Sequence, residues 1–178
     1  GGDQFGISAT MHGGNAYLSG AINDQQGDNI KVFWPRGIAW VNADGGNISF
    51  ADNWDPVMPT TADSVSFSLR SHLTISVDEE LPFSKAFIGP GNYVFDLAGV
   101  DRQLGNDGVT LSMRGVPGIS AEFVVQGGTI FVNGDVLIGE NDLPGKVALI
   151  SDDNGVMGQL VVDGTWLQHD AGELFIEL

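Results

Sequence analysis

Val125-Gln126-Gly127-Gly128-Thr129-Ile130-Phe131-Val132 and, further on, Val162-Asp163-Gly164-Thr165-Trp166-Leu167 share one order of events: a strand, a glycine, a threonine and a second strand. Each phrase leads into another short strand, so Gly128 to Ile138 and Gly164 to Ile176 both run through alternating residues and a polar corner to a final isoleucine. From Gly128 to Gly164 the offset is 36 residues, a span that holds one or two coils of a parallel β-helix. In such a coil each strand stacks on its equivalent in the next, inward Val, Ile, Leu and Phe form ladders, and Gly and Asn turn the corners.

Outward from these phrases the pattern persists. Apolar runs of three to six residues, often alternating, are cut by Gly, Asn, Asp or Pro, which is the signature of strands and turns. Strands are expected at 30–34, 38–41, 64–69, 73–77, 93–97 and 109–113, then at 122–125, 129–132, 135–138, 147–150, 159–162, 165–168 and 173–176. So many short strands in one domain imply a solenoid, a barrel or a sandwich. A jelly roll or other β-sandwich is the rival to the solenoid, because Asp107-Gly108, Asn133-Gly134, Asn154-Gly155 and Asp163-Gly164 are hairpin-turn dipeptides.

The chain has 178 residues, with 26 Gly and 7 Pro spread between apolar runs, so a turn-rich folded domain is expected rather than a collagen or a disordered chain. Seven Lys+Arg stand against 23 Asp+Glu, a formal charge of -16 that repels phosphate backbones and argues against nucleic acid as a partner. The acids stand mostly singly at turn positions such as Asp44, Asp107, Asp135, Asp142 and Asp163, where they serve solubility and turn chemistry or offer ligands to a divalent cation. The absence of cysteine removes disulfides and thiolate chemistry. No apolar run approaches the roughly 18 residues of a membrane span, and if the chain is exported its signal peptide is already removed.

One stretch carries a family resemblance. Asp52-Asn53-Trp54-Asp55-Pro56, then Pro59, then Ala62-Asp63-Ser64-Val65-Ser66-Phe67, resembles the opening of many β-helical bacterial surface proteins. Leu73-Thr74-Ile75-Ser76-Val77-Asp78 and Ile88-Gly89-Pro90-Gly91-Asn92-Tyr93-Val94-Phe95 look like succeeding coils, and the later Gly-Gly-Thr and Gly-Asp-Val-Leu-Ile-Gly phrases look like autotransporter-type passenger repeats. The resemblance covers roughly residues 47–178. It implies an all-β, right-handed parallel β-solenoid of the pectin-lyase-like kind, secreted or displayed at a cell surface. No catalytic residue is carried over. Residues 1–46 fall outside it and are expected to form an N-terminal β cap or edge-covering strands, since solenoid ends need covers.

Catalytic chemistry finds little support. His12, His72 and His169 are isolated, with no paired-histidine zinc motif, and no Gly-x-Ser-x-Gly elbow is present. A polysaccharide lyase or hydrolase, the enzyme class most natural for a β-helix, would need paired carboxylates and a cation. For neutral glycans, Trp34, Trp54 and Trp166 are the candidate flat platforms, against the plainer role of filling cores and corners. Asp152-Asp153-Asn154, before Gly155, is the best local Ca²⁺ candidate, with Asp24 and Asp28 second. No cofactor is required by the sequence.

Glu173-Leu174-Phe175-Ile176 reads as a strand with no polar cap after it. Such an end is expected to meet neighbouring coils of a longer surface protein or another subunit of the same kind. The expected function is therefore a non-catalytic extracellular structural protein, serving adhesion, scaffold or appendage roles through β-edge and solenoid-end contacts. A phage or virus tailspike, fibre or capsid-decoration domain at the virion surface is the second reading. A glycan-binding module or polysaccharide-degrading enzyme is the third.

Overall fold

Short alternating strands cannot bury their apolar side chains alone, so each must stack on a neighbour with the same period. The computed structural model describes residues 5–12, 15–24, 27–32, 37–80 and 83–177. It divides the chain into two compact units, Gly1–Gly37 and Ile38–Leu178. In the first, β1 (Phe5–His12), β2 (Asn15–Asp24) and β3 (Gly27–Val32) form an antiparallel sheet in that order.

The second unit is a parallel β-solenoid of about five turns. Its strands are β4 (Ile38–Trp40), β5 (Gly46–Asn47), β6 (Trp54–Asp55), β7 (Ser64–Phe67), β8 (His72–Ser76), β9 (Lys85–Ile88), β10 (Gly91–Asp96) and β11 (Arg102–Gln103). They continue with β12 (Val109–Met113), β13 (Ala121–Gln126), β14 (Gly128–Val132), β15 (Gly134–Ile138), β16 (Gly145–Ile150), β17 (Gly158–Val162), β18 (Trp166–Gln168) and β19 (Gly172–Ile176). Successive strands feed three different sheets, ordered β6-β4-β7-β9-β12-β15-β18, β5-β8-β10-β13-β16-β19 and β11-β14-β17. All pairings within them are parallel except that of β4 with β6.

The sandwich alternative is thereby excluded. Asn133-Gly134 and Asp163-Gly164 do not close hairpins; each carries the chain round a corner from the third sheet to the first. The 36-residue offset is also corrected. Gly128 stacks on Gly158 in the third sheet, whereas Thr165 donates its backbone N–H to Asp135 and Trp166 stacks on Val136 in the first. The two Gly-Thr phrases thus sit at different corners, because the same turn chemistry serves every corner. Close approach makes glycine necessary at one of them: a side chain on Gly134 would run into the Val109 carbonyl of the preceding turn.

Parallel pairing begins at Ile38, so β4 and β5 belong to the solenoid although the sequence reading placed residues up to 46 in the N-terminal segment. Inside the coil the expected ladders are present. Leu73, Tyr93, Phe123 and Val147 lie in register across four strands and are buried, and Ile75, Phe95 and Val125 form the parallel column beside them. Aromatic rings fill the wide part of the core: Phe95 meets Phe123 at 4.8 Å between centroids, Phe67 meets Phe95 at 5.3 Å, and Trp40 meets Trp54 edge to face at 5.3 Å.

Candidate functional site

The two ends of the solenoid are built from different chemistry. At the N-terminal end side chains of Trp54, Asn53 and Arg102 hydrogen-bond backbone carbonyls beside the last strand of each sheet. In the first sheet, β6 lies antiparallel against β4, placing Trp54 opposite Trp40. Trp54 is 4% exposed, and its Nε1 donates to the Ile48 carbonyl at 2.9 Å. Over the second sheet, the buried Asn53 closes the edge: its Nδ2 donates to the Asn47 carbonyl of β5 at 2.7 Å, and its Oδ1 accepts from Asn42 Nδ2 at 2.8 Å. Where the third sheet starts, Arg102 reaches back along the axis, with Nε donating to the Val77 carbonyl at 3.3 Å and Nη2 to the Asp78 carbonyl at 3.1 Å.

The C-terminal end has no such closure among the described residues. Strands β17, β18 and β19 are the last members of their sheets, paired on one side only as β5, β6 and β11 are at the other end, and what differs is the exposure of their apolar side chains. The inward columns are more open here than one strand earlier. Leu174 stacks on the fully buried Val147 yet is 43% exposed, and Ile176 on Leu149 is 49% exposed. Trp166 is 37% exposed. Val161, Leu167 and Phe175, at the alternate outward positions, are exposed as well, so this coil is apolar on both faces.

Each residue singled out from the sequence can be placed. Glu173, Leu174, Phe175 and Ile176 lie together on β19, where Glu173 is 3.8 Å from Lys146 and the Lys146 ammonium sits 5.0 Å over the Phe175 ring. Trp166 joins them at the same end. Trp54 does not: it is a core and capping residue with no open face, which removes it as a glycan platform. Trp34 lies outside the described residues, as do the side chains of His12, Asp24 and Asp28.

The Asp152-Asp153-Asn154 candidate occupies the turn between β16 and β17. Asp152 Oδ1 accepts the backbone N–H groups of Asn154 at 2.9 Å and Val156 at 2.8 Å, which makes it the organiser of its own turn. Asp153 and Asn154 are exposed beside it. Among the described residues, no three His, Asp or Glu side chains come together in a set able to hold a metal ion.

Other carboxylates are used between coils, a role the sequence reading missed. Asp101 Oδ1 accepts the Thr129 N–H at 3.1 Å, and Asp135 Oδ1 accepts the Thr165 N–H at 2.8 Å. Asp78 accepts both the N–H and the hydroxyl of Ser49, at 3.2 and 2.5 Å, and Glu177 does the same for Ser151, at 2.9 and 3.0 Å. Such charge-assisted bonds tie one turn of the solenoid to the next. At Asp78 burial pushes the pKa up, but the hydrogen bonds from Ser49, from its own N–H and from Asn47 outweigh it and hold the carboxyl below its usual value. At Glu177 the Ser151 N–H and hydroxyl likewise hold the carboxyl low. A Ser or Thr one coil away from a turn acid is the sequence signal for this pairing, but it becomes readable only once the coil register is known.

Compared with known proteins, the chain matches no protein family, no curated protein and no solved structure. No helix among the described residues is long and apolar enough to cross a membrane.

Proposed function

We propose that this chain is a non-catalytic, extracellular structural module, displayed at a surface or built into a self-assembling appendage, which joins its neighbour through the C-terminal end of the solenoid. The observation that carries this reading is the contrast between the two ends: closed by Trp54, Asn53 and Arg102 on one side, and open at Trp166, Leu174 and Ile176 on the other. An exposed coil with unpaired strand edges is a template for another strand, and apolar columns in register make the contact specific. The coil-to-coil carboxylate bonds support the same reading, since they give the acidic residues a structural task.

Light scattering with negative-stain imaging of the purified chain, at low and at high salt, tests it. Association that grows with concentration once charge is screened, and that is lost in a Leu174→Lys/Ile176→Lys variant, is the expected result. A persistent monomer at every salt concentration would remove autonomous assembly from the account.

A further inference from the structure

Two Asn-Gly pairs sit at corners of the solenoid, Asn133-Gly134 and Asn154-Gly155, and the fold treats them differently. An asparagine followed by glycine is prone to ring closure, because glycine has no side chain to hinder attack of its backbone nitrogen on the asparagine carboxamide. At Asn133-Gly134 the fold opposes that attack. Asn133 Nδ2 donates to Asp107 Oδ1 at 3.0 Å, and Gly134 is buried at the start of β15, paired with Val109.

Asn154-Gly155 stands outside the coil. Gln126 pairs with Ile150 and Gly128 with Gly158, so the corner that Gly127 alone turns in one coil takes residues 151–157 in the next. The surplus leaves the path of the coil as a small hairpin, closed at its base by the antiparallel bridge of Ser151 with Met157 and by the Asp152 N–H donating to the Val156 carbonyl at 2.9 Å. At its tip Asp153, Asn154 and Gly155 are exposed, and apart from its chain neighbours nothing lies within 4 Å of the place a Gly155 side chain would take. The Gly155 N–H donates to the Asp152 carbonyl at 3.0 Å, a single bond in an exposed turn, which opens locally far more easily than the buried ladder around Gly134.

We propose that Asn154 is a site of spontaneous deamidation in the folded chain and that Asn133 is protected from it. The Gly155 nitrogen gives its proton to solvent and bonds to Cγ of Asn154; the Cγ–Nδ2 bond breaks, and the amide nitrogen takes a proton from solvent and leaves as ammonia. The succinimide ring so formed takes up water at either carbonyl, breaking one ring C–N bond, and leaves aspartate or isoaspartate at position 154. The change needs water alone and runs one way. It sets a new carboxylate beside Asp152 and Asp153, so its extent records the age of the molecule.

Incubation of the intact chain in heavy-oxygen water at mildly alkaline pH, followed by proteolytic mapping with mass spectrometry, measures the conversion at each asparagine. The heavy oxygen marks only the events of the incubation and not those of the digest. In the folded chain Asn154 should convert at least about tenfold faster than Asn133, which must first give up a bond to a charged acceptor and a place in the ladder. In denaturant the two rates should converge, because the fold is what separates the pairs. Asn154→Gln, whose longer side chain closes its ring reluctantly, should remove the signal at this position and leave Asn133 as it was. Equal rates at the two positions in the folded chain would overturn the proposal. So would an Asn154 that is silent when folded and converts only in denaturant, since the turn would then protect it as the ladder protects Asn133. A rate difference that persists unchanged in denaturant would assign the effect to local sequence and overturn the structural argument.

Discussion

Trp166 lies directly over Val136 in the first sheet, one strand further along the axis, yet Val136 is sealed from solvent while Trp166 keeps more than a third of its surface open. The same step separates the sealed Val147 from Leu174, and the partly buried Leu149 from the more open Ile176. Burial in this solenoid depends on having a coil on both sides, so the last coil is held by pairing on one side and contributes little core of its own.

That gradient makes the energetic cost of mutation depend on position along the axis. Phe123→Ala, stacked between Tyr93 and Val147 with its ring against Phe95, should lower unfolding free energy by about 3–5 kcal/mol, the cost of emptying a packed aromatic site. Leu174→Ala, with its side chain already half in water, should cost only about 1 kcal/mol. Urea unfolding of the two variants measures the contrast, and equal losses would contradict it.

The N-terminal closure should behave as a specific polar cap. Asn53→Ala strips the Asn42 amide and the Asn47 carbonyl of their partner and should cost about 1–3 kcal/mol, the penalty for leaving such groups unsatisfied. Trp54→Ala should cost about 3–5 kcal/mol, because it also empties the site packed by Trp40 and Phe67. Thermal melting of both variants checks the ranking.

Acid should weaken the ties between coils. The Asp78 and Glu177 carboxyls lie below their ordinary values of 3.8 and 4.5 in the folded chain, so their contribution is fully present above those values. It is lost as pH falls through the lowered folded values. Protonation elsewhere relieves the repulsion of a chain with formal charge -16 and works in the opposite direction. The diagnostic quantity is therefore a difference: below about pH 4.5, the loss of stability on acidification should be steeper in the natural chain than in an Asp78→Asn/Glu177→Gln variant. Parallel pH profiles would show that these bonds do not differ between the folded and unfolded states.

Much of this was legible in the sequence because inward residues of a solenoid recur with the strand period whatever the coil length. Val109–Met113 is a strand over the range read from its alternation, and the expected strands from Ser64 to Ile176 fall on observed ones. Where the period is too short to register, the reading failed. Lys85–Ile88 offers two inward residues, Ala86 and Ile88, and runs straight into a Gly-Pro corner; Arg102–Gln103 offers none. The coil length was misread because Gly-Thr marks a corner and not a phase. Trp54 and Trp166 are alike in sequence, and only the stacking order says that one closes the core and the other lies at its open end. The strand Glu173–Ile176 was recognisable as an edge, but its company of β17 and β18 was not, since pairing across sheets depends on register that a single sequence does not display.

The most direct test of the open end is amide hydrogen exchange of the natural chain, compared between dilute low-salt solution and concentrated high-salt solution. Residues 158–162, 166–168 and 172–176 should exchange readily when dilute and gain protection on association, while the already closed segment 38–54 stays unchanged. Protection that appears instead at 38–54, or an end coil as protected when dilute as the central strands 109–113 and 121–126, would contradict the account.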